Sequence, residues 1–172
     1  MSADLITPRL RLKSLSMEQL RLSFNDRKAL ERELGFPISE GIIEANVPRA
    51  INIKLGKMDA TDPLLHDWLT YWLVIVKEAR IGVGLIGFKG VPDEAGSVEV
   101  GYGIDALFQN KGYMTEALAA LCEWAFSQAE CRRVTATTVV NPASERLLQK
   151  SGFRLTAKDD RSTSWELPKP RG

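Results

Sequence analysis

Residues 98–140 set the strongest constraint on how this chain can fold. Val98 to Ile104 is rich in β-branched and aromatic residues, and a helix-periodic run follows at Met114, Leu118, Leu121, Cys122 and Ala125. Residues 132–140, Arg-Arg-Val-Thr-Ala-Thr-Thr-Val-Val, then return to β-branched character. A strand, a crossover helix and a second strand within about forty residues make a βαβ unit, so strands 98–104 and 132–140 lie parallel. Gly101 and Gly103 interrupt the first strand and predict a bulge or a close backbone approach there.

Between strand and helix, Gln109-Asn110-Lys111-Gly112 reads as a tight turn. The helix predicted over 112–128 begins with amides that have no partner inside it. With the positive end of the helix dipole behind them, they form a site suited to phosphate or pyrophosphate. Gly112 lets the backbone come close, while Lys111 and Thr115 add a charge and a hydroxyl. The turn lacks both the Gly-Lys-Ser/Thr ending of a nucleoside-triphosphate loop and the Gly-x-Gly-x-x-Gly of a dinucleotide fold.

The flanking segments supply further layers. Residues 4–15 alternate, with Leu10, Leu12 and Leu15 between polar residues, and predict a half-buried strand at or near an edge. Ser16, with Gln19 three residues on, predicts a capped helix from Met17, continued through 26–34 and stopped at Gly35-Phe36-Pro37. A mixed helical stretch over 39–61, with Ile42, Ile43, Ala45 and Val47, restarts or kinks at Pro48. Residues 71–77 and 81–89 read as an antiparallel hairpin. Asn141 and Pro142 open a helix that stops at Gly152. Residues 153–157 and 162–167 then form a closing hairpin, with 167–172 as a loose tail. The 172 residues carry no low-complexity tract, and residues 1–172 are expected to form one domain.

Several function classes drop out. The 23 Lys and Arg against 22 Asp and Glu leave a net charge of +1, so no field draws in nucleic acid. No stretch approaches the roughly 18 apolar residues of a membrane span. An acid and a proline occupy residues 1–9, where a secretion signal needs an apolar run, so a cytoplasmic location is expected. Cys122 and Cys131 are isolated, and the single histidine, His66, has no metal-ligand partners in spacing; no metal is expected.

Gln109-Asn110-Lys111-Gly112-Tyr113-Met114 resembles the acyl-coenzyme A loop, Gln/Arg-x-x-Gly-x-Gly/Ala, of the GNAT N-acetyltransferases. Within that superfamily, Gly112 to Ala117 is similar to the Gly-Tyr-x-Thr-Glu-Ala of the branch containing ribosomal-protein N-terminal alanine acetyltransferases. Asn141 to Phe153 resembles a second signature, Asn-x-x-Ser/Ala-x-x-Leu-x-x-x-x-Gly-Phe, and likewise follows a strand. The resemblance covers roughly residues 5–167 and is strongest over 80–156.

That resemblance implies a single α/β domain of the α+β type. Its sheet would be mixed and mostly antiparallel, with two splayed parallel strands and helices on both faces. It implies acetyl-coenzyme A as co-substrate, the pantetheine arm entering between the splayed strands. Gly103, Ile104 and Asp105 lie where the family's strand backbone pairs with pantetheine. Gln109, Asn110, Lys111, Gly112, Tyr113, Met114 and Thr115 lie where the diphosphate is wrapped, and Asn141 and Ser144 near the thioester. Three positions depart from the pattern: Leu148 stands where many members carry a tyrosine acid, Gly103 where tryptophan is frequent, and Met114 where a small residue is usual.

Acetyl transfer needs a neutral amine, hence a base to take the ammonium proton. Glu99, between Val98 and Val100, is the candidate base, on the expectation that partly apolar surroundings raise its pKa. Ser144, in the first helical turn after Asn141, is the candidate that assists the leaving thiolate. Neither cysteine falls in the two motifs, so direct attack in a ternary complex is expected. His66, beside Trp68, reads as structural. The acceptor is a primary amine, of either a protein N-terminus or a small molecule, and residues 17–70 carry no pattern that decides between them. Acyl-chain preference and homodimer formation are left open. The rival reading is a non-catalytic acyl-coenzyme A binding or sensing module.

Overall fold

The computed structural model describes residues 3–43 and 47–172, so Ala45 and the first two residues of the N-terminal run lie outside the described residues. The alternating segment at the start divides into β1 (Leu5–Ile6) and β2 (Leu10–Ser14), an antiparallel pair. Thr7 makes the turn: its N–H donates to the Leu10 carbonyl at 3.0 Å and its hydroxyl oxygen accepts the Leu10 N–H at 2.9 Å.

Helix α1 (Met17–Asn25) carries the predicted capping box, Gln19 N–H donating to Ser16 Oγ at 3.1 Å and Ser16 N–H to Gln19 Oε1 at 3.0 Å. The helical run breaks once, at Asp26, whose carboxylate accepts the Ala29 N–H and starts α2 (Arg27–Leu34). Gly35, at φ 82°, ends it as predicted. Helix α3 (Val47–Asp59) has Pro48 in its first turn, where the missing N–H costs nothing. A short helix α4 (His66–Leu69) leads into β3 (Tyr71–Val76), which pairs antiparallel with β4 (Ile81–Phe88).

The βαβ unit is β5 (Ser97–Ile104), α5 (Tyr113–Ser127) and β6 (Arg133–Val139), followed by α6 (Pro142–Lys150) and the hairpin β7 (Arg154–Lys158) and β8 (Thr163–Pro168). The eight strands form one sheet in the order β1-β2-β3-β4-β5-β6-β8-β7. Among the described residues β5 and β6 are the one pair of these strands that runs parallel, and an isolated parallel bridge joins Ile38 to Gly82. The tail is shorter than predicted, because Pro168 still pairs with Arg133 and the Lys169 N–H donates to the Arg132 carbonyl at 2.8 Å.

Consecutive strand residues point to opposite faces, and β3 shows which helices take which face. Trp72 packs against Trp124 of α5, with ring centroids 5.3 Å apart, and Trp68 and Phe88 join the same aromatic cluster. Tyr71 turns the other way, beneath Lys54 of α3. Helices therefore cover both faces.

Strands β5 and β6 are paired through Ser97/Arg133, Val98/Val134 and Glu99/Thr135 and then part. Beyond Glu99, β5 stays in unbroken register with β4 up to Ile104. The bulge predicted at Gly101 or Gly103 is therefore absent. The irregularity lies instead in β6, where the register against β8 shifts between Ala136 and Val139 and Thr138 takes φ 54°. A bulge bends its strand, and this one lies where β6 diverges from β5.

Candidate active site

A cavity of about 460 Å³ opens between the end of β5, the start of α5 and the start of α6. The loop below it turns on two left-handed residues, Asn110 at φ 62° and Gly112 at φ 79°. Asparagine and glycine tolerate that region. Gly112 occupies the cap position of α5 without a side-chain cap, and the first intrahelical bond recorded there runs from Glu116 N–H to the Gly112 carbonyl. The first-turn amides at Tyr113, Met114 and Thr115 are thus left as donors at the positive end of a 15-residue helix.

Ten of the predicted residues line the cavity: Gly103, Ile104, Gln109, Asn110, Gly112, Tyr113, Met114, Thr115, Asn141 and Ser144. Three others do not. Asp105 is buried, its carboxylate accepting from the Ser39 hydroxyl, the Gly41 N–H at 3.0 Å and the Leu107 N–H at 2.9 Å. The Ser39 hydrogen bond and then the Leu107 amide hold that carboxyl below the usual range. Its own N–H is spent on the Val83 carbonyl, so Asp105 fixes the turn before the loop. Lys111 stands exposed outside the lining, with its carbonyl held by Arg9 Nη1 at 2.8 Å. Glu99 lies on the other face of β5. Its surroundings are polar rather than apolar: one carboxylate oxygen pairs with the Lys89 ammonium and the other accepts from the Thr137 hydroxyl.

Sequence reasoning missed four residues. Arg146 and Lys150, one turn apart on α6, bring positive charge to the cavity wall, where no acidic side chain stands among the described residues. Arg9 braces the loop from β2's side, with its guanidinium 4.7 Å from the centre of the Tyr113 ring and its Nε 2.7 Å from Glu116 Oε2. Tyr102 reaches from β5 to α6, its hydroxyl 2.6 Å from Ser144 Oγ. Burial pushes the Tyr102 phenol up, and the hydrogen bond with Ser144 only partly offsets this. Leu148, where the resemblance would place a tyrosine, is fully buried in the core.

The cysteines and the histidine have structural surroundings. Burial pushes the Cys122 thiol up to about 12 and the Cys131 thiol up as well, so neither is a thiolate at neutral pH. His66 Nε2 donates to the Met58 carbonyl at 2.8 Å, tying α3 to α4.

On the face of β5 that carries Glu99, Gly101 and Gly103 leave the strand bare. Among the described residues, a Cβ at Gly103 would meet no atom within 4 Å, and one at Gly101 only Lys89 Cε at 3.7 Å. The close approach expected at these glycines falls at Gly84 instead, where a Cβ would stand 2.6 Å from the Gly103 carbonyl oxygen.

A mixed sheet opened between two parallel strands, with an uncapped, glycine-led helix and a basic helix face at the opening, makes a site suited to a phosphate-bearing ligand. The chain matches the acetyltransferase (GNAT) domain over residues 20–154 and belongs to that family. It is 36% identical over 95 residues to the Uncharacterized N-acetyltransferase YjdG of Bacillus subtilis (strain 168), covering 55% of this chain and 56% of that one. The chain thus spans about half the length of the curated relatives it matches. Its fold is similar to that of the ribosomal-protein-S5-alanine acetyltransferase from Vibrio fischeri, at TM-score 0.65 and 16% identity over 98% of this chain and 97% of that one. It is also similar to RimL, the ribosomal L7/L12 alpha-N-protein acetyltransferase in complex with coenzyme A, at TM-score 0.65 and 17% identity over 96% and 98%. At these identities the structural likeness is one of fold. Among the described residues no helix is long and apolar enough to cross a membrane, and no group of His, Cys, Asp or Glu is placed to hold a metal ion.

Proposed function

We propose that this chain transfers an acetyl group from acetyl-coenzyme A to the free amine of a protein N-terminus by direct attack in a ternary complex. The observation that carries the reading is the parting of β5 and β6 beside the uncapped start of α5. It joins a cavity rich in amide donors to a bare strand face on the far side of the sheet.

Amides of Tyr113 to Thr115, with Arg146 and Lys150, would hold the phosphates, and the bound co-substrate supplies a thioester open to an amine. Glu99 takes the ammonium proton of the acceptor, with Thr137 and Lys89 fixing its carboxylate. Ser144 hydrogen-bonds the departing sulfur from the first turn of α6, where the helix dipole favours negative charge. The bare face of Gly101 and Gly103 leaves room for an extended main chain, which favours a peptide acceptor. Fold neighbours named for ribosomal proteins support the same choice.

Thiol release from acetyl-coenzyme A, measured against short peptides with varied N-termini and against small amines, tests the acceptor. Turnover with peptides is expected, and turnover with small amines alone would overturn the peptide acceptor. Glu99→Gln separates enzyme from sensor. Loss of turnover with coenzyme A binding kept is expected, whereas full turnover in that variant removes Glu99 as the base.

A further inference from the structure

The leaving sulfur must end with a proton or a strong hydrogen bond, and an aliphatic hydroxyl such as that of Ser144 is a far weaker acid than a thiol. A phenol, ordinarily at about 10 against about 8.5 for a thiol, stays far closer to the thiol than an aliphatic hydroxyl does, even with burial pushing the Tyr102 phenol up. The helix position where the resemblance implies that phenol holds Leu148, which is sealed in the core. A phenol nevertheless arrives at the same cavity from the opposite wall. Tyr102 lines it, and its hydroxyl lies 2.6 Å from Ser144 Oγ.

We propose that Tyr102 and Ser144 form a two-hydroxyl relay, in which Ser144 gives its proton to the departing sulfur and takes that of Tyr102 in the same step. The inference rests on the acetyl-transfer reading. As the N–C bond forms, the electron pair of the C–S bond goes to sulfur, which takes the Ser144 proton. Ser144 is restored by Tyr102, and the phenolate is reprotonated from water in the open cavity. The acceptor sheds two protons separately, the ammonium proton before attack and one from nitrogen as the adduct collapses, each passing through Glu99 to water.

Three observations converge on this pairing. The splay removes β6 from beside Tyr102, so its ring reaches α6 rather than a neighbouring strand. Strand alternation puts Glu99 and Tyr102 on opposite faces of β5, separating the base that receives a proton from the acid that supplies one. Among the described residues the cavity is lined by no aspartate, glutamate, histidine or cysteine, and the other phenol there, Tyr113, lies under the Arg9 guanidinium.

The test reads the coenzyme A thiol itself and needs no acceptor. Thiolate absorbance is titrated for the coenzyme A complex and for the desulfo-coenzyme A complex, and the difference isolates the bound sulfur. Hydrogen bonds to a charged form favour it, so the bound thiol of the wild-type protein is expected to ionise about one pH unit below free coenzyme A. Tyr102→Phe and Ser144→Ala should each remove most of that shift. The double variant should lose no more than either single one, because members of one chain are non-additive. Ser144→Thr, which keeps a hydroxyl, should retain the shift. Calorimetric affinity for coenzyme A should change less than about threefold throughout, which a general loss of packing would not allow. An unchanged thiol titration in a folded, coenzyme A-binding Tyr102→Phe protein overturns the relay, as do independent, additive effects of the two substitutions. Failure of wild-type protein to bind coenzyme A is a separate result that removes the acetyl-transfer reading and the relay with it.

Discussion

Arg9 and Glu116, 107 residues apart in sequence, meet at 2.7 Å and tie the β1–β2 hairpin to the first turns of α5. The Thr7 hydroxyl and the Arg9 N–H also donate to this carboxylate, at 2.6 and 2.9 Å. The same guanidinium covers Tyr113 and holds the Lys111 carbonyl, so a single side chain braces the end of the loop where α5 begins.

Arg9→Gln is therefore expected to cost about 1 kcal/mol, discounted for the partial exposure of the arginine. It should also raise KM for acetyl-coenzyme A severalfold with little change in kcat. Burial pushes the Glu116 carboxyl up, but the hydrogen bonds from Thr7 and Arg9 outweigh it and hold the group below its ordinary 4.5. A depressed carboxyl contributes stability that is full above the unfolded pKa and fades as pH falls through the folded one. Thermal melts between pH 7 and pH 3 should show wild type losing more stability than Arg9→Gln below about pH 4.5. Parallel losses would show that the ion pair adds nothing.

Two glycines one register step apart on β4 and β5, Gly84 opposite Ile104 and Gly103 opposite Leu85, should respond in opposite ways. Gly84→Ala drives a methyl to 2.6 Å from the Gly103 carbonyl oxygen, a clash with backbone, and should cost roughly 1–3 kcal/mol. Gly103→Ala points a methyl into open space and should leave stability within about 0.5 kcal/mol. If the bare face receives acceptor or pantetheine, Gly103→Ala should still reduce kcat/KM. Urea denaturation beside steady-state kinetics distinguishes the pair, and wild-type kinetics in Gly103→Ala would show that the face is unused.

The sequence features that proved legible were local ones. Periodicity and capping residues located α5 and α6, and the β-branched runs on either side of α5 made β5 and β6 parallel, because such signals act over a few residues. Ser16 with Gln19 and Asn141 with Pro142 behave as their chemistry requires wherever they occur. Residues assigned by long-range contact could not be read that way. Tyr102 looks like one more strand aromatic until β6 bends away from it. Arg9 looks like the polar half of an alternating strand, with nothing to link it to position 116. Asp105 sits beside the cavity in sequence but spends its carboxylate on Ser39 and Gly41, which lie some sixty residues earlier.

The cationic wall makes a sharper distinction between two kinds of lysine. Lys150 and Arg146 line the cavity from α6, whereas Lys111, in the loop itself, is exposed and outside the lining. Arg146→Gln and Lys150→Gln should each weaken coenzyme A binding by about three- to tenfold, with a shallower dependence on salt. Lys111→Gln should change it less than about twofold. Calorimetry at two ionic strengths checks all three, and a dominant loss at Lys111 would move the phosphate site out of the cavity.

Lys54 gives a prediction in which the sign of the pH dependence decides the outcome. Its ammonium is buried, donates to the Phe88 carbonyl at 2.6 Å and lies 4.4 Å from the centre of the Tyr71 ring. Burial first, and then the neighbouring charges of Lys57 and Lys89, lower its pKa to about 7. An unfolded lysine titrates near 10.4, so between about pH 7 and pH 10 the unfolded chain holds a proton that the folded protein lacks, and stability from this group rises with pH. Below pH 7 both states carry the proton and the slope vanishes. Lys54→Met removes the titration and the contact to Phe88 together. Urea denaturation at pH 6.5 and 9.5 should therefore show wild type gaining stability relative to Lys54→Met as pH rises. A difference that stays constant would mean that the carbonyl of Phe88 and the ring of Tyr71 keep the ammonium charged in the folded protein.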